Sequence, residues 1–75
     1  MKPINEEKLS VFARRLRQAR KTIGLGQAAF ADKIGVHPNT YRYYESDVRK
    51  PQIDILVEIA QALNVSTDWL LGLKD

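Results

Sequence analysis

Cysteine is absent from this sequence of 75 residues and histidine occurs once, at position 37. Disulfides and thiolate metal sites are thereby excluded, which suits a reducing cytosol. Enzyme chemistry finds little support, since His37 is the one histidine and no glycine-rich phosphate loop follows a strand. Enzyme chemistry, a bound metal, a cofactor and a small-molecule substrate are therefore not expected. No apolar run reaches transmembrane length, and the N-terminus lacks a basic segment leading into an apolar stretch and cleavage site. A soluble, cytoplasmic protein without a membrane partner is the expectation. Repeats, low-complexity segments and strand-like alternation are missing as well. The length suffices for one domain, close to the lower size at which a core alone holds a fold.

What is present is unevenly placed. The formal charge is +3, yet residues 14–21 hold Arg14, Arg15, Arg17, Arg20 and Lys21 with no acid among them. From residue 51 onward, Asp54, Glu58, Asp68 and Asp75 outnumber the single Lys74. Such polarity suits a domain with one face turned toward an anion, although a basic block by itself is as readily a solvated helix face.

Apolar spacing predicts five helices and an all-α fold. Leu9, Phe12, Ala13, Leu16, Ala19 and Ile23 recur at three- and four-residue steps, which predicts a first helix from about Glu6 to Ile23, ended by Gly24. Glu6 and Glu7 would then lie in its first turn, where negative charge offsets the helix dipole. Residues 27–34 predict a short second helix terminated at Gly35. A third spans Pro38 to Glu45, with proline at the first helical position, where its missing N–H costs nothing. The polar stretch 46–51 reads as a loop closed by Pro51. A fourth helix covers Ile53 to Leu63. Its arc of Ile53, Leu56, Ile59, Ala60 and Leu63, widened by Ile55 and Val57, predicts burial on more than one side and a central place in the core. Ser66 caps a fifth helix over Thr67 to Leu71. With N-caps at Asn5, Gly26, His37 and Ser66, the pairs Ile4/Leu9, Leu25/Phe30, Val36/Tyr41 and Val65/Leu70 all fit hydrophobic staples.

Two short helices joined through Gly35 and Val36, the second opening with polar side chains, have the form of a helix-turn-helix. Geometry of this kind occurs in many helical proteins, and the residues narrow it. The order RLRQAR, IGLGQ, FADKIGV, a polar-opened helix ending in YYE, a loop ending in Pro51, IAQALNVS and DWLLG resembles the lambda-repressor and Cro-like (XRE-type) helix-turn-helix family from Arg15 to Gly72. The resemblance implies a compact five-helix bundle, with residues 1–14 as an N-terminal extension of helix 1 and 15–73 as the DNA-binding domain. It further implies a sequence-specific transcription regulator, of phage or prophage repressor type, that reads a two-fold symmetric double-stranded operator as a homodimer.

In that family the third helix lies in the major groove, and its base-contacting slots fall here on Pro38, Asn39 and Tyr43, with Thr40 and Arg42 close by. Asn39 has the donor and acceptor that pair with adenine, whereas Pro38 can only touch a thymine methyl or start the helix. Tyr41 and Tyr44 fill slots the family gives to the core. Gln27, at the first position of helix 2, is implied to contact the phosphate backbone. His37, Arg15, Arg17, Arg49 and Lys50 are further phosphate candidates. Arg20 and Glu45 are implied to form a structural ion pair. Gly26 departs from the hydroxyl residue common at its slot, and Asp47 and Val48 depart from the usual glycine and basic residue in the loop. The rival reading is a protein-interaction module or antitoxin on the same fold. Trp69, Leu70, Leu71 and Leu73 supply apolar surface for it, or for the homodimer contact expected of Trp69, Leu70 and Leu73, while Trp69 and Leu70 equally suit closing the core.

Overall fold

Periodicity and caps become five helices and no strand among residues 8–75, which are those the computed structural model describes: α1 (Val11–Thr22), α2 (Gln27–Ile34), α3 (Pro38–Glu45), α4 (Ile53–Leu63) and α5 (Thr67–Leu71). The bounds of α2 to α5 are those the sequence predicts, and the N-caps of α3 and α5 show why for those two. His37 Nδ1 accepts a hydrogen bond from the Asn39 amide at 3.1 Å, directly ahead of a helix that opens on Pro38. Ser66 Oγ accepts from the Trp69 amide at 3.0 Å. Leu25, Val36 and Val65 each precede a cap and pack half-buried against the core that contains Phe30, Tyr41 and Leu70, as hydrophobic staples require.

The start of α1 is a correction. The helix α1 begins at Val11, with Ser10 Oγ accepting from the Ala13 amide at 3.1 Å, and Leu9 and Ser10, predicted to lie within it, stand ahead of its first turn. Leu9 continues the apolar period upstream of the helix, so periodicity overshoots the end that the serine cap sets. The proposed cap Asn5, its staple Ile4 and the first-turn acids Glu6 and Glu7 lie outside the described residues.

The largest fully buried side chains are Leu16, Phe30, Tyr41, Ile59 and Leu70, one from each helix. With each helix contributing a stripe, and each such side chain worth about 1.5–3 kcal/mol of transfer free energy, no one helix is the centre. This corrects the prediction for α4. Its buried residues are Ile59, Ala60 and Leu63, while Ile53 is 82% exposed and Val57 43%. One face of α4 packs against α2 and α5 and the other meets solvent. Between α2 and α3 the rings of Phe30 and Tyr41 meet at 5.3 Å with a 58° tilt, which holds the two helices against each other, and within α3 Tyr41 meets Tyr44 edge-on at 6.3 Å.

Gly35 makes the turn between them. Its φ of 75° lies in the left-handed region that side-chain-bearing residues avoid, and the Val36 amide closes the end of α2 onto Ala31 O at 3.0 Å. Gly72 has a second reason to be glycine, because a Cβ there would stand 3.0 Å from Val11 Cγ1 of α1.

Candidate nucleic-acid interface

The direction of α3 is set at its C-terminal end. Glu45 is 5% exposed and Arg20, reaching across from α1, is 7% exposed. Arg20 Nε donates to Glu45 Oε2 at 2.6 Å and Nη2 to Oε1 at 3.1 Å, a bidentate pair. Gln27 Nε2, from the start of α2, donates to Oε1 at 3.1 Å, and Tyr41 Oη donates to Oε2. Arg20 Nη1 also donates to Leu25 O at 2.8 Å, so one cluster ties α1, α2, α3 and the α1–α2 turn together. Among the described residues no buried side-chain nitrogen or oxygen lacks a partner.

The ionisations follow from this arrangement. Burial by itself would raise the Glu45 carboxyl, but hydrogen bonds from Arg20, Tyr41 and Gln27 outweigh it and hold the group below the ordinary carboxylate range. Burial first, then the bond to Glu45, push the Tyr41 phenol up. The bond to Glu45 holds Arg20 protonated against the opposing effect of burial. The ion pair predicted for Arg20 and Glu45 is present in the structure, and it lies in the interior.

The opposite end of α3 and its outward face are open. Pro38, Asn39, Arg42 and Tyr43 are exposed and Thr40 is half-buried. Asn39, Arg42 and Tyr43 line one open groove with Arg17 of α1, Gln27 of α2 and Val48 of the α3–α4 loop. Asn39 Oδ1 accepts only a long bond, 3.4 Å, from Arg42 Nη1 one turn on. A carboxamide held so lightly can turn to an outside partner.

The loop after α3 departs from the expected sequence yet keeps the backbone shape a glycine would take. Asp47 has φ 63°, and its carboxylate accepts bonds from the Ser10 amide at 2.5 Å, Ser10 Oγ at 2.7 Å and Lys50 Nζ at 2.7 Å. Those bonds outweigh the raising effect of burial and keep the carboxyl below its usual range. Aspartate tolerates the left-handed region better than most residues, and here its side chain fastens the loop to the cap of α1. Arg49, beyond this anchor, stacks on the exposed ring of Tyr43 with its guanidinium carbon 5.4 Å from the centroid.

Other candidates are placed less favourably for contact with an outside anion. Arg15 Nη1 donates to Trp69 O at 2.5 Å and to Lys74 O at 2.7 Å, and its guanidinium lies 5.0 Å from the Trp69 ring centroid. It is a strut between α1 and the C-terminal segment. Gln27 turns its side-chain amide inward to Glu45, so what α2 offers outward is its backbone N–H groups, which Gly26 leaves without a side-chain cap. Leu70 is fully buried and spends its surface on the core, which removes it from any dimer contact, whereas Leu71 and Leu73 are 47% and 74% exposed and Trp69 is half-buried. The anchoring role of Asp47 and the Tyr43–Arg49 stack escaped the sequence reading. Asp47 at a position where glycine is usual was the one signal available. Among the described residues no helix is long and apolar enough to cross a membrane, and no group of histidine, aspartate or glutamate side chains could hold a metal ion.

Comparison with known proteins agrees with this geometry. The helix-turn-helix family model matches residues 16–70. An uncharacterized HTH-type transcriptional regulator of Bacillus subtilis (strain 168), YobD, is 42% identical over 65 residues, covering 87% of this chain and 58% of that protein. The cryptic phage CTXphi transcriptional repressor RstR of Vibrio cholerae serotype O1 is 45% identical over 58 residues, covering 77% and 52%. This chain thus spans about half the length of the curated relatives it matches. Among solved structures, the P22 c2 repressor in complex with synthetic operator 9T superposes with a TM-score of 0.81 at 27% identity, over 88% of this chain and 100% of that one.

Proposed function

The chain belongs to the lambda-repressor-like (XRE-type) helix-turn-helix family, and from that premise we propose that it binds a double-stranded DNA operator sequence-specifically and regulates transcription as a phage- or prophage-type repressor. The reading is one of binding in the cytoplasm, with no catalytic step. The observation that carries it is the asymmetry of α3, whose C-terminal glutamate is locked inside while Pro38 is exposed at its start and Asn39, Arg42 and Tyr43 stand exposed toward one groove.

In this reading the N-terminal half of α3 enters the major groove. Asn39 makes the paired contact to an adenine edge, Tyr43 packs on a methyl or sugar, Arg42 and Thr40 lie beside the base pairs, and Pro38 starts the helix against them. The first-turn amides of α2 at Gln27 bind a phosphate, as helix N-termini do, with His37, Arg17 and Arg49 contributing along the strands. Lys50 joins them by exchanging Asp47 for a phosphate, which makes it the weakest of the set. Arg15 is left to its structural role. Exposed Leu71 and Leu73, with Trp69 beside them, support a two-fold partner, so the operator is two half-sites read by a homodimer.

Selection from a random pool of duplexes tests the proposal. A two-fold symmetric site, bound less tightly as salt rises, is the expected result. A pool that shows no enriched sequence would overturn it and favour the rival reading of a protein-binding module or antitoxin on the same fold.

A further inference from the structure

Tyr43 and Arg49 belong to different elements, and the backbone brings them together. The carbonyl of Tyr43 accepts from both the Val48 amide at 3.0 Å and the Arg49 amide at 3.3 Å, folding the loop back over the last turn of α3. Asp47, in the left-handed conformation, holds that fold by its bonds to Ser10 at the cap of α1. The guanidinium of Arg49 then covers one face of the Tyr43 ring, and both side chains remain exposed.

We infer that Arg49 is a positioning residue for Tyr43, and that the two act as one specificity-determining unit. The inference rests on the DNA-binding reading above and adds a role for the loop within it. A guanidinium is planar and weakly hydrated, so it stacks on an aromatic face and still has N–H groups in its plane for a phosphate oxygen. Stacked, it restricts the ring to one orientation at the groove edge, and the ring in turn restricts the arginine. Base discrimination at the tyrosine and backbone contact at the arginine are therefore coupled. A simple phosphate contact behaves differently: its loss weakens every sequence alike.

The test uses the full chain, the duplex enriched from a random pool, and that duplex changed one base pair at a time. Tyr43→Ala identifies the base pair at which tyrosine discriminates. Arg49→Ala is expected to lower discrimination at that same base pair by about two- to five-fold, the range of a solvent-exposed cation–π contact. This loss comes on top of a general weakening and a shallower salt dependence. Tyr43→Phe, which keeps the ring, retains the discrimination, and Tyr43→Ala combined with Arg49→Ala loses no more of it than Tyr43→Ala alone. Both positions are exposed, and circular dichroism verifies that each variant is folded. Equal weakening of Arg49→Ala on every duplex, with discrimination intact, would overturn the coupling and leave the DNA reading standing. A wild-type chain that prefers no duplex would bring down both.

Discussion

The two ends of α3 are eight residues of one helix treated in opposite ways. At the carboxyl end, Glu45 is buried and takes hydrogen bonds from Arg20, Gln27 and Tyr41. At the amino end the polar groups are exposed and bonded only locally, His37 to the Asn39 amide and Asn39 to Arg42. The difference teaches how a small domain can present a readable surface. Buried ionic bonds add little net stability, but they are directional and so fix an orientation. Exposed side chains contribute little to the fold and are available to a partner.

If that division is right, the largest effect of substitution belongs at the buried end. Glu45→Ala leaves the Arg20 guanidinium buried without its carboxylate and is expected to cost about 3–5 kcal/mol in urea unfolding. Against the roughly 4–11 kcal/mol that a chain of this length has in total, at 0.05–0.15 kcal/mol per residue, this is close to unfolding. Combining Arg20→Met with Glu45→Leu should restore part of the loss. A Glu45→Ala protein as stable as wild type would erase the contrast between the two ends.

Acid gives a milder form of the same experiment. The folded Glu45 carboxyl is held below its ordinary value of 4.5, so its stabilisation is complete above that pH and fades as pH falls through the lower, folded value. Wild type is therefore expected to lose stability below this pH by an increment that Glu45→Gln, which cannot titrate, lacks. Parallel acid unfolding curves for the two proteins would contradict it.

At the open end the expected effects move from stability to binding. Asn39→Ala should cost about 1–3 kcal/mol of affinity at one base pair in each half-site, while its urea midpoint stays where wild type has it. A shifted midpoint with unchanged binding would reverse the assignment of the two ends. The smallest effect is expected at Lys50, whose bond to Asp47 lies at the surface. Lys50→Ala should change unfolding by less than about 1 kcal/mol, measured in the same titration.

Much of the fold can be read from the chain because the signals are local. Gly35 ends α2, Pro38 starts α3, and Ser66 caps α5, each acting within a few residues of itself. The exposure of Asn39, Arg42 and Tyr43 follows from the same helical phase that buries Tyr41 and Tyr44. The start of α1 was not legible, since Leu9 extends the apolar period while the cap at Ser10 is pinned by Asp47 from 37 residues away. Arg15 looked like its basic neighbours, but its partners, Trp69 O and Lys74 O, lie 54 and 59 residues downstream. A long flexible side chain carries no sequence mark of which carbonyl or carboxylate it will reach. Ile53 and Val57 likewise extend an apolar arc beyond the face that the neighbouring helices cover.

The sequence alone determined the helical class, four of the five helix extents and the polar opening of the third helix. Caps, staples and apolar phase act between residues close along the chain, and that is all those features need. Tertiary structure decided where the first helix begins, which arginines are taken up internally, and that Asp47 moors the loop to the first helix. These outcomes depend on distances between segments far apart in the chain, and such distances exist only once the helices have packed.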